Sequence, residues 1–374
     1  MICGLRLKVI IALTTLILMS GAVFAASDPI SDDVPYTEAT PEEIKLAERV
    51  SEQIEKNMTI LVNPVYKAKV QTIVNRLSPY MERQLNYEVN IIDHKMVNAF
   101  AISGGKMYVT TGMLDFVKTD LELAGVIAHE MVHADRKHVI IQTARNNRMT
   151  LLAILTAVAS RGHGAAMLAA NVLHVAIMGA YSIDLEKEAD AYGIDALTQA
   201  GYNPVGMLTI QERLKEERMK RPEINPGIYR THPDVEERIA AAVKYLERNG
   251  IPVERKYALG NLRTSVEEID SGGLALVIDG QTVWRGTSND ATRAIFDRVA
   301  SDLWNYLELE TAPFDIRVEG DGISPDSALF IKSRKIVAKG ELQPGTEALS
   351  VLREGVMKVV TEARRNHPMA DYFK

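Results

Sequence analysis

Apolar residues recur at helical spacing from Pro41 to Leu85, first as Ile44, Ala47, Val50 and Ile54, then as Val70, Ile73, Val74 and Leu77. Thr40 ahead of Pro41 and Glu43 is a good helix start. Between 87 and 111 the pattern turns extended, over Tyr87–Ile92, Ala99–Ile102 and Met107–Thr111, and Gly104-Gly105 reads as the turn between the last two. From Asp120 to about Asn147 it is helical again. Ser182–Thr198, Met207–Lys220 and Asp234–Asn249 predict three more helices, the last stopping at Gly250 and Pro252.

Two segments stand apart. Residues 149–181 hold two apolar stretches around Arg161-Gly162-His163-Gly164, each too short for a comfortable membrane span. They predict a helical hairpin in the core, or one lying over a site or touching a membrane interface. At the N-terminus, Arg6 and Lys8 precede an apolar run from Val9 to Met19, and Val23 and Ala25 occupy the small-residue positions before a cleavage point. This predicts a signal peptide over residues 1–25, cut after Ala25, and an exported, periplasmic protein.

From about residue 262 the character changes. Leu274–Ile278, Asp279-Gly280 and Gln281–Arg285 form a strong hairpin signal. A helix over Asn289–Leu309 with Ile295, Val299, Leu303 and Leu307 on one face follows, then extended character at Asp315–Val318 and Ala328–Val337, and a last amphipathic helix over Thr346–Arg365. The predicted fold class is α+β: a mainly helical domain over 26–255 with a small β-sheet, and a small C-terminal α+β module over 262–374. The sequence shows no internal repeat.

Composition narrows the function. Hydrophobic residues make up 47% and charged residues 25% of the 374, as in a globular protein. The net charge of −6, without a basic stripe, argues against nucleic acid as a partner. The single cysteine, Cys3, excludes a cysteine-rich zinc site and any intrachain disulfide.

Candidate chemistry sits in the helix that starts at Asp120. His129, Glu130 and His133 form an H-E-x-x-H motif. At about 100° per residue, positions four apart differ by about 40°, so both imidazoles leave one helix face and can bind one Zn²⁺. Glu130 then stands where a general base for the attacking water is needed. The motif lies in an apolar run, where two imidazoles and a carboxylate without a metal would be costly to bury. A third ligand is best sought in Ser182–Asp190, where Glu186 and Asp190 share a face and Glu188 points the other way. Glu186 can take the metal while Asp190 accepts the second N–H of a ligand imidazole. Spacing alone leaves this open against a solvated acidic face.

Four local matches make the chain resemble the M48 family of zinc metallopeptidases, most of all its soluble, exported members. They are Asn98-Ala99-Phe100-Ala101 with Gly104-Gly105 and Thr111-Gly112; Glu122-Leu123-Ala124 through His133 to His138; Glu186-x-x-x-Asp190-Ala191-x-Gly193; and His232-Pro233 with Arg238. The resemblance spans about residues 45–247. It implies a zincin-like metalloprotease domain with one Zn²⁺ per chain, held by His129, His133 and Glu186, with Asp190 behind a ligand histidine. It implies catalytic roles for Glu130, His232 and Arg238, with His232 or Arg238 acting on the oxyanion or His232 capping the metal at rest. His138 matches too, and sits near the end of the metal helix.

Asn98–Ala101 would then be an edge strand to which a peptide adds by backbone hydrogen bonds, which suits unfolded or misfolded protein substrates. The expected activity is zinc-dependent endopeptidase action in envelope protein quality control. The alternatives are a periplasmic chaperone or assembly factor with a capped metal site, and a structural zinc domain with four protein ligands. The C-terminal module is expected to bind a partner or substrate, whose identity the sequence does not give. Peripheral membrane contact through 149–181 remains an option.

Overall fold

Thr40 accepts the backbone N–H of Glu43 at 3.2 Å, and with Pro41 in the first turn it starts α1 (Pro41–Asn57) where the sequence places it. In this computed structural model the described residues are 38–146, 180–220, 227–233, 235–269 and 272–367. The expected signal peptide and nearly all of the 149–181 hairpin, with His163 and His174, lie outside them.

Asn63 caps α2 (Pro64–Leu77), whose Val70, Ile73, Val74 and Leu77 are buried. The first sheet has β1 (Glu88–Ile92), β2 (Ala99–Ala101) and β3 (Lys106–Thr110) in the order β1-β3-β2. β1 runs parallel to β3, and β2 pairs antiparallel with it. Gly104 and Gly105, with φ of 79° and 88°, make the turn between β2 and β3. A short α3 (Thr111–Phe116) leads into α4 (Asp120–Asp135). The helix expected to continue to about 147 instead breaks at Lys137, whose φ is +57°, and resumes as α5 (His138–Asn146). The break lets His138 turn back toward α4.

α4 is the central element: every residue from Glu122 to Asp135 is buried. α6 (Ile183–Gln199) and α7 (Val205–Lys220) pack against it, and so does β2. The contact with α7 is backbone on backbone. A Cβ on Gly206 would stand 2.3 Å from the Leu121 carbonyl oxygen, and one on Gly125 would stand 3.0 Å from the Met207 backbone. α8 (Gly227–Thr231), α9 (Val235–Arg248) and α10 (Arg255–Leu259) complete this part.

The C-terminal part begins with β4 (Thr264–Ile269), a strand the sequence did not suggest, followed by β5 (Gly273–Ile278) and β6 (Gln281–Thr287). All pairing in this sheet is antiparallel, in the order β4-β5-β6. α11 (Asp290–Tyr306) is capped by Asn289 and buries Phe296, Val299, Ala300 and Leu303. A second antiparallel sheet follows, from β7 (Ile316–Glu319), β8 (Ala328–Ile331) and β9 (Arg334–Ala338), and then α12 (Leu349–Asn366). The stretch read as one extended run, 328–337, is a hairpin turning at Lys332.

The module thus repeats one order of elements twice, three strands and a helix. Ile278 and Ile331 each precede a residue of positive φ, Asp279 at 48° and Lys332 at 54°. Each middle strand also slips register just before it, between Leu276 and Val277 and between Leu329 and Phe330. The helices cross over. α11 packs on β4 and β5 and also on β9, where Arg298 Nη1 donates to the Ile336 carbonyl at 2.7 Å. α12 packs on β7 and β8 and also on β6, where Gln281 Nε2 donates to Glu362 at 2.5 Å. Both halves share one apolar core. The repeat escapes the sequence because what recurs is turn geometry and burial, with few identities.

Candidate metal centre

Thr119 caps α4 by accepting the Glu122 N–H at 3.2 Å, and the buried Glu122 carboxylate is paired with Arg213 at 2.8 Å. Two turns further on, His129 and His133 leave the same face, and their Nε2 atoms lie 2.9 Å apart. α6 brings Glu186 against both: Oε2 is 3.5 Å from His129 Nε2 and Oε1 is 3.4 Å from His133 Nε2. His232, just after α8, closes the group, with Nδ1 3.2 Å from His129 Nε2 and 3.0 Å from Glu186 Oε1. One ligand atom from each of these four buried residues falls within 4.8 Å of all the others.

This donor set fits zinc, which takes imidazole nitrogen and carboxylate oxygen at about 2.0–2.2 Å. Two buried polar atoms at the same place have no hydrogen-bond partner, Glu130 Oε1 and His232 Nε2, and they face each other at 3.4 Å. The other Glu130 oxygen accepts the backbone N–H of Ala101 at 3.1 Å.

Asp190 Oδ1 lies 2.9 Å from His129 Nδ1. Arg238 departs from its expected catalytic placement. Its guanidinium grips Asp190 through Nε at 2.8 Å and Nη2 at 2.7 Å, and its Nη1 reaches Glu186 at 2.6 Å. It therefore braces the carboxylates from behind, with those nitrogens committed to them.

The expected substrate strand departs as well. β2 is an edge by strand order, yet Asn98, Ala99, Phe100 and Ala101 are no more than 3% exposed. Ile228 N–H donates to the Val97 carbonyl at 3.1 Å, and the Ala101 N–H is held by Glu130. Both side-chain polar atoms of Asn98 are buried and unpartnered.

Electrostatics follow from burial and these contacts. Burial pushes the Glu130 carboxyl above the usual carboxylate range, against the pull of His232 and His129. Burial works the same way on Glu186, but His232 and Arg238 outweigh it and hold that carboxyl well below the usual range. Asp190 is likewise held down by Arg238. His129 rises to about 9, because the hydrogen bonds it donates to Asp190 and Glu186 outweigh burial and the Arg238 charge. His133 falls well below its ordinary value through burial and the neighbouring His129.

Sequence reasoning passed over Tyr181, whose ring stacks on His133 with centroids 4.1 Å apart, and gave His138 only a helix-end role. No spacing rule reaches Tyr181, which stands two residues before α6 and touches α4 only in the folded chain.

Residues 64–246 match the sequence model of Peptidase family M48. The chain is 29% identical over 196 residues to a putative beta-barrel assembly-enhancing protease of Vibrio cholerae, covering 50% of this chain and 40% of that protein. It is 27% identical over 212 residues to the beta-barrel assembly-enhancing protease of Escherichia coli O157:H7, covering 54% and 43%. Against mitochondrial metalloendopeptidase OMA1 of Arabidopsis thaliana it is 32% identical over 130 residues, 35% and 26% of the two chains. The chain spans less than half the length of each of these relatives.

Proposed function

From the premise that residues 64–246 belong to peptidase family M48, we propose that the chain is a zinc-dependent endopeptidase acting on unfolded or misfolded proteins in envelope quality control. The observation that carries the reading is the convergence of His129, His133 and Glu186 beside the unpartnered Glu130 Oε1. Zinc held by His129, His133 and Glu186 would polarise the scissile carbonyl and acidify water. Glu130 Oε1 takes the proton from the attacking water and passes it to the leaving amine. Ala101 N–H orients that carboxylate from behind. His232 Nε2, 3.4 Å from Glu130 Oε1, is placed to donate to the oxyanion. Asp190 and Arg238 hold His129 and Glu186 in place.

The position of His232 among the four donors also supports a resting state in which it caps the metal. This is the form the chaperone alternative would need. Export to the periplasm rests on the basic start, apolar run and small-residue cleavage positions within residues 1–25. No described helix is long and apolar enough to cross a membrane.

The test is metal content together with casein hydrolysis by the purified mature protein. One equivalent of zinc, and a loss of activity of about 10²- to 10⁴-fold in Glu130→Gln with zinc retained, is expected. A rise in hydrolysis on His232→Ala identifies the capped state. Zinc without hydrolysis in any variant turns the reading to the chaperone. Absence of zinc removes the metal site.

A further inference from the structure

His138 opens α5, is fully buried, and has no task in the mechanism above. Its Nδ1 lies 2.9 Å from Nδ1 of His133, the ring nitrogen remote from the donor cluster. Tyr181 covers a face of the same ring, at an interplanar angle of 19°. On its other side, His138 Nε2 is buried without a hydrogen-bond partner, and Glu188 Oε2 lies 3.6 Å away. Glu188 is itself gripped by Arg136, through Nε at 2.8 Å and Nη2 at 2.7 Å.

Two nitrogens at 2.9 Å share one proton, so one ring donates and the other accepts. If His138 carried its proton on Nδ1, neutral His133 would carry its own on Nε2 and lose the lone pair a metal needs. The Glu188 carboxylate decides against that arrangement. At 3.6 Å it is beyond hydrogen-bond length, but its charge favours the proton of His138 on the facing Nε2. His138 Nδ1 is then the acceptor, His133 Nδ1 the donor, and His133 Nε2 is left open toward Glu186.

We propose that His138 is a positioning residue for the metal centre, fixing the tautomer and orientation of His133, with Glu188 setting His138 in turn. The inference rests on the reading of His129, His133 and Glu186 as a zinc site. His129 is served directly by a carboxylate, Asp190 braced by Arg238, whereas His133 reaches Glu188, braced by Arg136, through an interposed imidazole. Both ligand histidines are thereby tuned from one helix, α6.

The test is zinc affinity of the full chain at neutral pH, by competition with a chromophoric chelator, with the visible spectrum of the cobalt-substituted protein as a second readout. His138→Phe keeps a ring and loses the acceptor. It should weaken zinc binding by about 10- to 100-fold and shift the cobalt bands. His138→Asn supplies Oδ1 near the position of Nδ1 and should restore most of the affinity. Glu188→Gln should weaken binding by less than His138→Phe. Parental affinity in His138→Phe, or an equal loss in His138→Asn, overturns the proposal. If His138→Phe fails to fold, Glu188→Gln decides, and parental affinity there overturns it. A parent that binds no zinc, or a His133→Ala variant that binds it unchanged, brings down the metal-site reading and this inference with it. Normal zinc in the parent with no effect of His138→Phe brings down this inference alone.

Discussion

Glu130 carries opposite demands at its two oxygens. One is tied to the Ala101 N–H, and the other is buried without a hydrogen-bond partner beside His232 Nε2. A base must be ionised to accept a proton, and burial raises the pKa of this one. It therefore stays protonated to a higher pH than an exposed glutamate, and kcat/KM should fall on the acid side at a pH above the usual carboxylate range. A pH–rate profile checks this, and an acid limb inside that range contradicts it. Asp190→Asn tests the neighbouring brace. It keeps the shape but removes the charge between His129 and Arg238, and zinc affinity should drop by about 10- to 100-fold in a chelator competition. At this scale much was legible. Helical spacing puts His129 with His133 on one face and Glu186 with Asp190 on another, and the structure brings these faces together, whereas spacing alone left Glu186 and Asp190 open against a solvated acidic face. Arg238 was legible as a site residue and not as to task, because its partners lie on another helix, 48 positions away in the case of Asp190. Tyr181 was not legible at all.

The elements around the site are tied to α4 by buried charge. Arg83 donates to Glu43 at 2.9 and 2.7 Å and to the Ala134 carbonyl at 3.3 Å, while its backbone N–H donates to Asp135 at 2.8 Å. This joins α1 to the C-terminal end of α4. Arg83→Ala leaves the buried Glu43 with the more distant Lys137 ammonium at 3.6 Å and should cost about 3 kcal/mol in urea unfolding. Glu43→Ala should cost a similar amount, and the double variant less than the sum. Gly206→Ala acts by another route, since its new methyl meets the Leu121 carbonyl oxygen. It should displace α4 and lower zinc affinity and stability together. Most elements could be read from apolar period. The two large misreadings were the 120–147 helix and the 328–337 strand, and each turns at a lysine of positive φ, Lys137 and Lys332. Lysine is no turn signal, so only tertiary packing reveals these breaks. β4 was missed because its Ser265, Glu267 and Glu268 are exposed on a strand that borders the sheet.

Across the whole molecule, α10 joins the part built around α4 to the C-terminal module through buried cations. Arg255 pairs with Glu212 on α7 at 2.7 Å and with Glu310 beyond α11 at 2.6 Å. Lys256 is fully buried, donating to the Trp304 and Leu307 carbonyls at 2.5 and 2.8 Å and pairing with Glu308 at 2.8 Å. A junction held this way transmits unfolding across it. Calorimetry of the parent should show one transition, and Lys256→Met should split it or lower it. Two independent transitions in the parent would refute the coupling.

The crossed helices of the module have a consequence for dissection. Each three-strand sheet is covered in part by the helix of the other half, so neither half on its own closes its apolar face. A fragment carrying three strands and one helix would expose apolar surface, and would stay soluble only where two such fragments paired, each lending its helix to the other.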